Sequence, residues 1–237
     1  MPRNLESFSD GRMEVWCPQC GESKQSVVLN RDHVPSKVLL DKPYPEGLGT
    51  VRICKLCNDA FSKDEEYVSA ALSAWISDSA DPKRQAFSAG QRVLARSPAL
   101  RSRIQKQRVE QGFWDLESDR IERVVIKQAR NHAIYEGGEY HAEKPEHVAV
   151  VPLDQLSVEQ RSSFLDSKEV DVWPEVGSRW MARLVEDTPA ANRLDRFDEY
   201  GFLIVQEHTY RFRLDLSAGL SVKSIIYGAL ATEVIWR

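Results

Sequence analysis

Cysteine is scarce in this chain. Its 237 residues include four, all confined to two short knuckles, Cys17-Pro18-Gln19-Cys20 and Cys54-Lys55-Leu56-Cys57, and none is left over. No apolar run approaches the length of a membrane-spanning helix, which excludes a helical integral membrane protein. The opening residues, Met1-Pro2-Arg3-Asn4-Leu5-Glu6, lack the apolar core of a secretory signal, so the expected compartment is the cytoplasm. An excess of positive charge is also missing. The formal net charge is −4, so any nucleic-acid role needs a local basic surface rather than the field of the whole chain. There is no internal repeat and no low-complexity tract. What remains, 42% hydrophobic and 29% charged residues, is the composition of a globular protein with one large or two small domains.

Four cysteines could pair as disulfides in a secreted protein. In a reducing cytosol, two Cys-x-x-Cys pairs fit a tetrahedral thiolate zinc site better. Each knuckle turns tightly and aims both sulfurs at one ion. The 33 residues between the knuckles, 21–53, can loop out and return, and metal closure would order a segment too short to build its own core.

That loop carries Asp32-His33, and Asn58 follows the second knuckle directly. An aspartate and an amide oxygen are hard ligands suited to Mg²⁺ or Mn²⁺. A neighbouring histidine can accept a proton from water near neutral pH. One cation and one base are sufficient parts for phosphodiester hydrolysis. The plainer alternative is a surface Asp-His pair with Asn58 as a helix cap.

The windows Arg31-Asp32-His33-Val34-Pro35-Ser36-Lys37 and Cys54 to Tyr67 resemble the HNH endonucleases, in particular bacterial members with a zinc-ribbed ββα-metal core. The resemblance implies His33 as general base, Asp32 and Asn58 as ligands of the catalytic cation, and a structural zinc on Cys17, Cys20, Cys54 and Cys57. It further implies a DNA substrate, with RNA left open, and a role in restriction or anti-phage defence. One position departs from the family pattern. Gly47 stands where a central asparagine usually orients the histidine, which motivates the alternative of a nucleic-acid- or protein-binding module that has lost cleavage.

Periodicity predicts an α+β fold in three segments: a zinc-bound core over 1–80, a helical segment over 81–138, and a mixed, mostly antiparallel region over 139–237 that is the candidate surface for a protein partner. The core begins with a strand near Met13-Trp16 and the apolar run Val27-Val28-Leu29, and a helix starts near Asn58 or Lys63. Asp64, Glu65 and Glu66 then fall in its early turns, where the helix dipole favours them. Helices follow over 82–96, 98–111 and 118–136, capped by Ser97 and Ser118. A strand at 147–151 and a helix with a Ser157/Gln160 capping box lead to a meander from Gly201, with a turn at Ser217-Ala218-Gly219. No acidic residue lies between Lys83 and Arg108. Arg92, Arg96, Arg101 and Arg103 in that stretch, with Lys37 and Lys63 near the proposed site, are the candidate phosphate contacts. His132, His141 and His147 follow no compact ligand spacing, and Trp75, Trp114 and Trp173 read as packing anchors.

Overall fold

A computed structural model of the chain describes residues 15–166, 178–185, 197–216 and 219–237. The expectations for Met13, Glu14, Trp173, Ser217 and Ala218 lie outside these residues. The fold is α+β, and its sheets are antiparallel. Among the described residues no helix is long and apolar enough to cross a membrane.

Strands β1 (Leu29–Val34) and β2 (Gly49–Cys54) form an antiparallel ribbon, with Asp32 opposite Val51 and His33 opposite Thr50. Asp32 and His33 therefore lie within the strand. Helix α1 (Lys55–Ile76) follows β2 without a linker. Cys54 is its N-cap, and the Cys57 amide donates to the Cys54 sulfur at 3.3 Å, the role a serine or aspartate oxygen usually fills. This sulfur cap explains why the helix starts at Lys55, ahead of the expected Asn58 or Lys63. Its first turn holds the second knuckle and Asn58 and no acidic residue. Asp64, Glu65 and Glu66 lie beyond the reach of the dipole, and ion pairs account for them instead: Arg120 and Arg123 for Asp64, Lys127 for Glu65, and Arg96 for Glu66.

The segment expected as two helices over 82–111 is shorter and more broken. A 3-10 turn at Pro82–Arg84 precedes α2 (Ser88–Arg96) and α3 (Pro98–Gln105). Ser97 stands at the N-cap of α3, but its hydroxyl makes no capping bond. After Gln105 the chain leaves the helix for a small hairpin, β3 (Arg108–Glu110) and β4 (Phe113–Trp114). Asp78 causes this. Its carboxylate accepts hydrogen bonds from Arg108 (3.0 and 2.6 Å), the Gly112 amide (3.1 Å) and Trp114 Nε1 (3.1 Å), which together draw the hairpin onto the end of α1. Helix α4 (Ser118–His132) has Glu117 rather than Ser118 at its N-cap and ends in a π turn through Ala133–Gly137.

Strand β5 (His147–Pro152) precedes α5 (Val158–Leu165), whose capping box is present as expected: the Gln160 amide donates to Ser157 Oγ, and the Ser157 amide to Gln160 Oε1. After α6 (Arg179–Val185) the meander runs through β6 (Leu203–Gln206), β7 (Tyr210–Asp215), β8 (Leu220–Ile226) and β9 (Leu230–Trp236). Strand β5 adds to its far edge, giving the order β5-β9-β8-β7-β6. One face of this sheet packs on α4, and a single apolar cluster draws on Leu39, Tyr67, Leu94, Val124, Phe212 and Trp236. Each such fully buried side chain contributes roughly 2–3 kcal/mol of transfer free energy. The cluster therefore ties the ribbon and α1 to α4, and α4 to the sheet.

Candidate metal centre and the Asp32-His33 site

The four cysteine sulfurs lie within 4.8 Å of one another, and none is in a disulfide. Cys20 Sγ and Cys54 Sγ are 3.8 Å apart. Zn–S bonds of about 2.3 Å in a tetrahedron require sulfurs separated by about 3.8 Å, so the donor set fits a metal such as zinc. Burial pushes the Cys20 thiol up to about 11. Burial also opposes ionisation of Cys54, but hydrogen bonds from the Cys57 amide and the neighbouring thiols outweigh it and hold Cys54 below the ordinary thiol value. Among the described residues these cysteines form the one such group of histidine, cysteine and carboxylate donors. His132 is buried against Phe212 and bonded to Tyr210 Oη, and His141 lies between Glu139 and Glu143, so neither belongs to a metal cluster.

Asp32 is held from α4. Its Oδ2 lies 2.8 Å from the Lys127 ammonium and accepts a hydrogen bond from Asn131 Nδ2 at 3.0 Å. Its Oδ1 accepts no hydrogen bond among the described residues, and the side chain is 12% exposed. Lys127 has no exposed surface and also pairs with Glu65 Oε1 at 2.5 Å. Ser36 Oγ donates to the same Glu65 oxygen, and Gln128 Nε2 donates to Ser36 Oγ at 2.8 Å. One ammonium thus lies between two carboxyl groups. The Asp32 Oδ1, left without a hydrogen bond among the described residues, is a hard oxygen donor. On the other side, Gln19 of the first knuckle donates to Asn131 Oδ1 at 2.9 Å. A continuous path, Gln19 to Asn131 to Asp32, thus links the cysteine cluster to this carboxylate.

His33 is half-buried on β1. Burial, then the charge of Lys37, lowers its pKa, and Asp32 and the Gly49 carbonyl act in the opposite direction. Its Nδ1 is buried and has no hydrogen-bond partner among the described residues. Asn58 is half-buried in the first turn of α1, one residue past the cysteine cluster. Its capping alternative is ruled out, because Cys54 is the cap.

The expected phosphate contacts are scattered. Lys37 begins the turn after β1, its Nζ 5.2 Å from the centre of the Tyr44 ring. Lys63 is exposed on α1. Arg92 donates to Ser88 Oγ, while Arg96 pairs with Glu66 and Arg103 with Glu117. Arg101 lies on α3 without a polar partner among the described residues. The basic stretch is therefore partly neutralised by acids that come from elsewhere in the chain.

Sequence reasoning missed Lys127, Asn131, Gln19, Ser36 and the buried role of Glu65. One signal was available: Lys127, Gln128 and Asn131 place polar groups on the inward side of a helix whose neighbouring positions are apolar.

No family model, no curated protein and no solved structure matches this chain. Fold and donor set alone define its class: an α+β protein with a four-cysteine cluster able to hold zinc.

Proposed function

We propose that this chain is a metal-dependent nuclease of the HNH type that hydrolyses phosphodiester bonds in DNA. One observation carries the reading. Asp32 presents a free carboxylate oxygen at the position next to half-buried His33 and acts on its charge, although strand alternation sends the two side chains to opposite faces of a ribbon stapled to the start of α1 by the cysteine cluster. In this reading β1, β2 and α1 are the nuclease core, and Asp32 and Asn58 hold Mg²⁺ or Mn²⁺. When bound, the cation offsets charge at the phosphate and the leaving oxygen. His33 takes the proton of the attacking water, its basic form favoured by partial desolvation. As the water oxygen bonds to phosphorus, the P–O bond to the leaving sugar oxygen breaks. Lys127 and Asn131 keep Asp32 in one orientation throughout. Plasmid DNA incubated with Mg²⁺ or Mn²⁺ should be nicked by the native chain and not by His33→Ala. Equal nicking by both preparations would remove His33 from the mechanism.

A second reading rests on the unpartnered Nδ1 of His33. An imidazole held only by the Gly49 carbonyl, with Nδ1 unpartnered, is loosely oriented and loses rate, which favours a module that binds nucleic acid or protein through the same scaffold without cutting. Metal-dependent nicking that is lost in His33→Ala would dismiss it.

A further inference from the structure

Strand alternation sorts the ribbon into two faces. Val34, Val51 and Ile53 turn into the core, so Arg31, His33, Thr50 and Arg52 share the opposite side. Arg31 and Arg52 are directly opposed in the register, which places their Cβ atoms about 5 Å apart. Arg31 is exposed and Arg52 half-buried. Neither pairs with a carboxylate among the described residues. In this the two differ from Arg96, Arg103, Arg108, Arg120 and Arg123, which are all in ion pairs. Like charges directly opposed on a ribbon cost stability. Two arginines so placed, without a carboxylate partner among the described residues, offer a pair of guanidinium donors to an anion. Arg52 also borders a groove of about 590 Å³ that Lys24 lines, while Lys37 acts electrostatically on His33 from the far end. Arg31 and Arg52 thus stand one cross-strand pair along from His33 and Thr50 on the same side of the ribbon.

We propose that Arg31 and Arg52 form a clamp for consecutive phosphates of a nucleic-acid strand, seating its backbone along the ribbon beside His33. The assignment of the phosphates to a cleavable strand rests on the nuclease reading, but the binding does not. Guanidinium groups bind phosphate in a bidentate fashion, and two of them side by side match a charged backbone.

The test is fluorescence anisotropy of the full chain with short labelled oligonucleotides, without added divalent cation, across a salt series. Single- and double-stranded DNA and RNA form the arms. The Arg31→Gln/Arg52→Gln variant should bind at least about tenfold more weakly than the native chain. The slope of log affinity against log salt should fall by about 2, close to one per arginine. Arg31→Lys/Arg52→Lys keeps both charges and should retain the slope. Arg161→Gln/Arg237→Gln removes as much charge from exposed arginines outside the ribbon, on α5 and at the ion pair with Glu146, and should change binding little. Thermal melts of the glutamine variant should show an unchanged or raised Tm, since a repulsion has been removed. Comparable losses in the Arg31/Arg52 and Arg161/Arg237 variants, unaltered binding in Arg31→Gln/Arg52→Gln, or no binding by the native chain in any arm would each overturn the clamp. Arginine-dependent binding without cleavage in Mg²⁺ or Mn²⁺ would leave the clamp standing and sink only the nuclease reading. The arm bound most tightly identifies the strand chemistry.

Discussion

Lys127, with no exposed surface, holds its ammonium 2.8 Å from the Asp32 carboxylate, so a helix of the central segment positions the strand residue on which the hydrolytic proposal depends. A buried cation persists only with partners, and this one has two carboxylates and the Ser36 hydroxyl. Replacing it with methionine leaves Asp32 and Glu65 as like charges facing a low-dielectric interior. Lys127→Met should lose about 3 kcal/mol or more in urea unfolding. The double variant Lys127→Met/Glu65→Gln should recover part of that loss, since it removes one stranded charge. A loss under about 1 kcal/mol in the single variant would show that solvent already screens the trio.

Removing the metal should act on Asp32 at a distance. Metal analysis of native protein should find about one zinc per chain, bound by Cys17, Cys20, Cys54 and Cys57. Chelation, or Cys57→Ser, should unfold the ribbon region while leaving the five-stranded sheet in place. Gln19 sits inside the first knuckle and bonds to Asn131, which bonds to Asp32. Amide exchange in β1 should therefore rise together with loss of the metal. Native protein that contains no zinc would reject the scaffold.

His132 gives the fold a specific acid sensitivity. Burial, then the nearby charge of Arg183, brings its pKa down to about 3 from an ordinary 6.5. The unfolded chain therefore takes up this proton first. Above about pH 6.5 the residue adds no pH dependence. Below it, stability is lost progressively towards pH 3, by on the order of 5 kcal/mol in total. His132→Gln, which keeps a partner for Tyr210, should flatten the acid limb of stability against pH relative to the native chain. Parallel curves would show that His132 is not the group responsible.

Close approach of α1 and α2 depends on Gly90. A Cβ there would lie 2.1 Å from Ser73 Cβ and 3.0 Å from the Ser69 carbonyl, both in the buried body of α1. Alanine improves helix propensity by up to about 1 kcal/mol, but overpacking against atoms that cannot swing away costs about 1–3 kcal/mol. Gly90→Ala should therefore lower stability by about 1–2 kcal/mol, read from the denaturant midpoint. A stabilised variant would mean that the two helices slide apart freely.

The sequence makes legible those features that rest on local spacing. The knuckles, the meander from Phe202 and the Ser157 capping box are such features, because turn chemistry and period-two alternation are written within a few residues. Features that depend on distant partners are less accessible. The start of α1 is set by a sulfur cap that no residue scale anticipates. The 106–111 stretch carries helix formers but is drawn into a hairpin by Asp78, some 30 residues earlier. Glu65 reads as a dipole-favoured acid, yet its partner Lys127 lies 62 residues away. The basic stretch reads as unopposed because Glu66 and Glu117, which neutralise part of it, lie outside it. Register carries the rest: Arg31 and Arg52 are 21 residues apart, and only the pairing of β1 with β2 sets them face to face.

Gly47 offers the sharpest test of whether His33 needs an orienting partner beyond the Gly49 carbonyl. The residue adopts φ +71°, a left-handed conformation that asparagine tolerates better than other side chains, and nothing lies within 4 Å of a Cβ built there. Gly47→Asn should therefore fold at a cost of about 1 kcal/mol. In the HNH resemblance this is the position of the histidine-orienting amide. If the buried, unpartnered Nδ1 of His33 limits the rate, the asparagine should raise single-turnover nicking several-fold, with little change in DNA affinity. Gly47→Ala imposes the same backbone strain without the amide and should give no gain. Equal rates for the two variants would mean that the Gly49 carbonyl and the packing of the ribbon already hold the imidazole, and that this chain does without the asparagine.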